Sequence, residues 1–169
     1  MNHEKGICDC AVCQSISDGL SKEEAINQYI KWQSDKLSEH GWIMHYVGDD
    51  TTSPTGVNIH THGLHENYNH PDLQVVLQIP QQVVQSILNT IVDRIKNGEK
   101  FKDGDVIKSV IANGLSIKIV NANENGRPVL RIIFPDQSGN YDSLTIKEPY
   151  SLQYGDIVSS QNKWTPVKV

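Results

Sequence analysis

A chain of 169 residues is long enough for one domain with a sizeable core. With 37% hydrophobic and 21% charged residues it is too apolar to stay disordered. A net charge of −5, with no basic run or basic helix face, excludes nucleic acid as an expected partner, and no apolar run approaches the roughly 20 residues that a membrane-crossing helix needs.

The N-terminus, Met1-Asn-His-Glu-Lys5, runs into cysteines and not into an apolar segment, so no signal peptide is expected and the cytoplasm is the expected location. Residues 1–19 read as an irregular arm that carries all three cysteines, Cys8, Cys10 and Cys13. An odd number so close together is a poor disulfide framework. Thiolates at this spacing suit a soft metal such as Zn, with a fourth ligand such as His3. Zinc ribbons and fingers, however, use a second, separated pair, which is missing here. A reduced, thiol-bearing tail is the plainer alternative.

Ser21-Lys-Glu-Glu24 is a capping box, with Leu20 and Ala25 placed as a hydrophobic staple. Ala25, Ile26, Tyr29, Ile30, Gln33 and Leu37 follow at helical spacing and His40-Gly41 closes the helix, predicting it over 21–39. Residues 42–47 read as a strand, 48–56 as a loop rich in turn formers, 57–62 as a second strand and 63–72 as a polar loop. The stretch 73–79 is a third strand, apolar enough to be central. Pro80 opens the clearest helix, 80–97, with Val83, Val84, Ile87, Leu88, Ile91, Val92 and Ile95 as its stripe and Asn97-Gly98 as its stop. Strands at 106–111, 115–120 and 129–134 follow, the last two joined by a hairpin signal at Asn125-Gly126. Weak strands are expected near 143–147 and 150–158. This order predicts an α+β fold, with two main helices packed on a largely antiparallel sheet of about six strands. The expected organisation is a cysteine-bearing arm (1–19), a single α+β domain (20–158) and a C-terminal tail (159–169).

Six of the seven histidines fall between positions 40 and 70. In the phrase Val57-Asn-Ile-His60-Thr-His62, residues Asn58, His60 and His62 alternate. On a strand they share one face, with His60 and His62 roughly 7 Å apart at the backbone. Two imidazoles so placed are able to share one metal ion, or one small anionic or polar ligand. The following loop offers His65, Glu66 and His70. The candidate ligand-binding set is therefore Asn58, His60, His62, His65, Glu66 and His70, and the candidate metal set is His60, His62 and His70. Divalent Zn, Fe, Ni or Mn would each accept such donors. If neutral imidazoles do the binding, it weakens as pH falls through about 6.5. The bland reading stands beside this. Histidines are common in polar loops, and His70 before Pro71 suits a backbone turn. His45, alternating with Ile43 and Val47, reads as a core or rim histidine.

Several phrases taken together resemble the bacterial domain-of-unknown-function family 4262. They are Gly41-Trp42, the histidine phrase ending in Gly63-Leu64, His70-Pro71-Asp72-Leu73 leading into a strand, and Pro80 opening a helix. Asn97-Gly98-Glu-Lys-Phe101 with Gly104-Asp105, and Phe134-Pro135-Asp136 followed by Gly139, complete the pattern over about 38–142. The commoner form of that family carries a Tyr-Thr pair before Gly-Leu. With His60-Thr-His62 at that place, this chain resembles a histidine-rich branch. The resemblance implies a domain and the location of its pocket, and supplies no reaction.

The phrase His60-x-His62-x-x-x-Glu66 also fits the first metal motif of cupins, but the helix at 80–97 interrupts a barrel and no histidine follows His70. There is no Gly-x-Ser-x-Gly elbow and no phosphate-cradling Gly-rich loop. Cysteines on a flexible arm would fix catalytic geometry poorly. Asp49-Asp50, Asp103 and Asp105 read as solvated turn residues. Two function classes follow. The first is a small soluble binding or accessory protein whose histidine-lined pocket holds a small ligand or a protein partner. The second is a metal-dependent hydrolase or oxygenase using His60, His62 and one residue of the 65–70 loop. The first is preferred, because no recognisable general acid, base or nucleophile accompanies the histidines. An exposed strand edge would also allow two copies to pair.

Overall fold

The computed structural model describes residues 11–157 except 49, 51, 112, 113, 125 and 156. The chain divides into two units, Met1–Ile43 with Trp164–Val169, and Met44–Lys163.

The first unit holds α1 (Ala11–Ser17) and α2 (Lys22–His40), which touch one another. Helix α1 lies in the stretch expected to be irregular. Apart from Ala11 and Gln14 its residues are weak helix formers, but none is Gly or Pro, and burial of Val12 and Cys13 outweighs the small propensity cost. Cys8, Cys10 and His3, the rest of the expected thiolate site, lie outside the described residues. Helix α2 starts and stops as its sequence predicts. The Glu24 amide donates to Ser21 Oγ at 3.3 Å, and the Ser21 amide donates to the Glu24 carboxylate at 3.0 Å. At the other end Gly41 takes φ 78°, the left-handed region that glycine enters without a Cβ penalty, and its amide donates to the Leu37 carbonyl.

The second unit carries the sheet. Its strands are β1 (Ile43–Gly48), β2 (Val57–His62), β3 (Asp72–Val75), β4 (Val106–Ile107), β5 (Ile117–Glu124) and β6 (Arg127–Ile133). They are ordered β1-β2-β3-β6-β5-β4. The pairs β2/β3, β5/β6 and β4/β5 are antiparallel, whereas β3/β6 is parallel. A parallel pair needs a long crossover, and α4 (Gln81–Lys96) lies within it. The fold is thus α+β, with two main helices and a six-stranded mixed sheet.

Val84, Ile87, Leu88, Ile91, Val92 and Ile95 of α4 are all buried. Their i, i+3, i+4 spacing makes one stripe, and Val83, one position off that stripe, is 45% exposed. Ile59, Leu73, Val75, Ile119 and Ile132 of the strands are fully buried. These side chains make up the apolar core of the unit.

Several elements differ from expectation. The polar loop at 63–72 contains a short helix, α3 (Leu64–Tyr68), and β3 begins at Asp72. The ladder of the third strand ends at Val75, although Val76 and Leu77 remain buried. The strand expected over 106–111 stops at Ile107, and Ser109 then takes φ 64°, which no strand accommodates. Near 143–147 the chain turns. The Asp142 carboxylate accepts the Leu144 amide at 3.0 Å, a local bond that competes with a ladder. Tyr150–Tyr154 forms a short 3-10 helix in place of a strand. No helix among the described residues is long and apolar enough to cross a membrane.

Candidate metal centre

Strand β2 has two faces. Val57 and Ile59 point into the apolar core, while Asn58, His60 and His62 share the opposite face. That face is covered too: Asn58 and His60 are 4% and 8% exposed. Strand β1 lies beside β2 and contributes His45. The three imidazoles meet edge to face, with ring centroids 4.9 Å apart for His60 and His62, 4.6 Å for His45 and His62, and 5.4 Å for His45 and His60. One nitrogen from each ring lies within 4.8 Å of the others. Nitrogens bound to one tetrahedral zinc at 2.0–2.1 Å are about 3.3 Å apart, so each pair needs to close by no more than about 1.5 Å.

A charged network stands behind His60. Strand β5 ends at Glu124, which the β5/β6 hairpin pairs with Arg127. Glu124 Oε1 lies 2.6 Å from His60 Nδ1 and accepts Asn58 Nδ2 at 3.1 Å. Its Oε2 accepts Arg127, which also donates to the Asp72 carboxylate and to the Thr61 carbonyl. Asp72 Oδ1 in turn accepts Thr61 Oγ1 at 2.9 Å and the Leu64 amide at 3.2 Å. The sheet register extends the polar row. His60 pairs with Gln74 and Gln74 with Arg131. Gln74 Nε2 donates to Asn58 Oδ1 at 3.1 Å and Gln74 Oε1 accepts Arg131 Nε at 2.9 Å. Polar groups removed from water need partners, and these groups supply one another.

The environment sets protonation. Burial first, and the neighbouring His60 second, push His45 down to about 4 and His62 down to about 2. At neutral pH both rings are therefore neutral and keep the lone pair that metal ligation requires. Burial alone would raise Glu124, but its bonds to His60 and Arg127 outweigh it and hold the carboxyl at about 2. Burial raises Asp72, and Arg127 only partly offsets this.

The structure regroups the residues singled out in the sequence. Asn58, His60 and His62 come together. His65 and Glu66 lie exposed on α3. His70 is fully buried in a different set of bonds. Its Nδ1–H donates to the Pro71 carbonyl at 2.7 Å and its Nε2 accepts the Phe101 amide at 3.1 Å. With both nitrogens engaged, His70 has no lone pair left for a metal. His45, Glu124 and Arg127 are the members that sequence reasoning missed. The alternation of His45 with buried Ile43 was a signal for the first. A Glu and an Arg flanking the Asn125-Gly126 turn were the only signal for the others. A depression of about 430 Å³ lies on α4, lined by Gln81, Gln82, Gln85, Ser86 and Asn89, and includes none of these groups.

Comparison with known proteins finds no similar chain among curated proteins and none among solved structures. A family model does match, over residues 36–127, just over half of the chain. That span contains His45, His60, His62, Glu124 and Arg127, so the whole candidate centre lies inside it. The chain belongs to the family described as Domain of unknown function (DUF4262).

Proposed function

We propose that this protein is a small metal-binding protein, in which His45, His60 and His62 hold one divalent transition metal ion, with Zn²⁺ the first choice. The observation that carries this reading is the convergence of three imidazole nitrogens within 4.8 Å. Two of the rings are neutral at physiological pH because burial disfavours their charge. An all-imidazole set suits Zn, Cu, Ni and Fe, and disfavours Mg and Ca, which take oxygen ligands. The role is that of a binding or accessory module. Three protein ligands are also the number used by catalytic zinc sites, which favours a metal-dependent hydrolase as the second reading. The carboxylate beside the trio argues against it, because Glu124 accepts His60, Asn58 and Arg127, and its bonds to His60 and Arg127 hold the carboxyl at about 2, too weak a base for a bound water.

Titration of the purified, chelator-stripped chain with Zn²⁺ and Co²⁺ tests the reading. One ion per chain is expected, with affinity falling as pH drops toward about 4, where the His45 ring takes up a proton. Co²⁺ spectra separate the sites, since thiolate ligands give charge-transfer bands that imidazoles do not. Each of His45→Ala, His60→Ala and His62→Ala should abolish tight binding. Stoichiometric binding that survives all three substitutions, or no binding by the intact chain, would overturn it.

A further inference from the structure

We propose that Glu124 is the positioning residue of the histidine centre: it holds His60 in the Nδ1–H tautomer, so that His60 meets the metal through Nε2. The proposal rests on the trio being a metal site, and it adds which atom binds and what selects it.

A neutral imidazole has one N–H and one lone pair, and the bond made by one nitrogen dictates the role of the other. At 2.6 Å from Glu124 Oε1, Nδ1 can only be the N–H, because two acceptors at that separation repel. Glu124 cannot be the donor. Oε1 already accepts Asn58 Nδ2 and Oε2 already accepts Arg127. The other atom near Nδ1, Asn58 Oδ1 at 3.3 Å, is also an acceptor, oriented by the donation from Gln74 Nε2. Every neighbour of Nδ1 named by the structure therefore asks for a proton there. The lone pair falls on Nε2.

The carboxylate is itself held still. Its side chain is 6% exposed, so water competes little for it, and Arg127 ties it to Asp72, which is equally buried. A carboxylate behind a metal-ligating histidine fixes ring orientation and strengthens the nitrogen as a donor. Two buried carboxylates, Glu124 and Asp72, share the guanidinium of Arg127.

The test uses the full chain labelled with ¹⁵N-histidine. Two-bond ¹H–¹⁵N spectra report which ring nitrogen carries the proton and which one binds Zn²⁺. Competition with a chromophoric chelator reports affinity. In the wild type, His60 is expected to be protonated at Nδ1 and bound to Zn²⁺ at Nε2. Glu124→Gln keeps the side-chain shape and is expected to weaken Zn²⁺ binding about 10–100-fold, the usual cost of losing such a partner, and to mix the His60 tautomers. A merely structural role would leave the tautomer unchanged. Ligation through Nδ1, or a Glu124→Gln protein with wild-type affinity and tautomer, overturns the proposal while leaving the three-histidine site standing. No Zn²⁺ binding by the wild type overturns both. Should Glu124→Gln fail to fold, the wild-type spectrum alone decides.

Discussion

Lowering the pH of the metal-free protein from 7.5 to 5.0 should cost about 4 kcal/mol of stability through His45 and His62 alone. In the unfolded chain both imidazoles titrate near 6.5. Folded, burial first and the neighbouring His60 second depress them to about 4 and about 2. Between these limits the unfolded chain binds protons that the folded chain refuses, so stability falls as pH falls. A pH of 5.0 lies about 1.5 units below the unfolded value and above both folded ones, so each ring costs about 2 kcal/mol. Against a typical total of about 5–15 kcal/mol, that loss is large. Glu124 acts in the same direction, but in the window from 4.5 down to about 2, below the range compared. Urea denaturation with a chelator present, followed by tryptophan fluorescence, measures the effect. The control is the double variant His45→Gln/His62→Gln, whose absolute stability can change but whose pH-dependent loss should shrink by about 4 kcal/mol. If wild type and double variant lose the same stability between the two pH values, within about 1 kcal/mol, then these rings are not held neutral by burial and the electrostatic account of the site is wrong.

Leu88 is fully buried in the stripe of α4, so Leu88→Ala should destabilise the protein by about 2–5 kcal/mol in chemical denaturation. A loss under about 1 kcal/mol would place the stripe outside the core. His70→Ala should separate folding from metal binding. It removes the acceptor of the buried Phe101 amide, at a cost of about 1–3 kcal/mol, and should leave Zn²⁺ affinity unchanged once the variant is folded. A loss of affinity comparable to that of His60→Ala would return His70 to the metal site.

The signals that the sequence carries by itself are local ones. Ser21 and Glu24 are three residues apart, and Gly41 follows directly on α2, so the geometry of a single helix decides how they act. The stripe from Val84 to Ile95 follows from a 3.6-residue period, and the shared face of His60 and His62 from a period of two. Helix α1 and the turn at Asp142 depart from expectation because there weak propensity is overruled by burial or by a side-chain bond, while β3 and β4 are shorter than the strands expected at 73–79 and 106–111. Tertiary structure alone decided the membership of the site. His45 joins it because β1 lies beside β2, and strand order is not written in either strand. Glu124 reaches His60 across 64 positions because β5 and β6 form a hairpin that lies next to β3. His70 looked like a ligand in its loop and became a backbone brace, since the fold brought the Phe101 amide to its lone pair. A histidine's role depends on what faces each of its two nitrogens, and those neighbours come from distant parts of the chain.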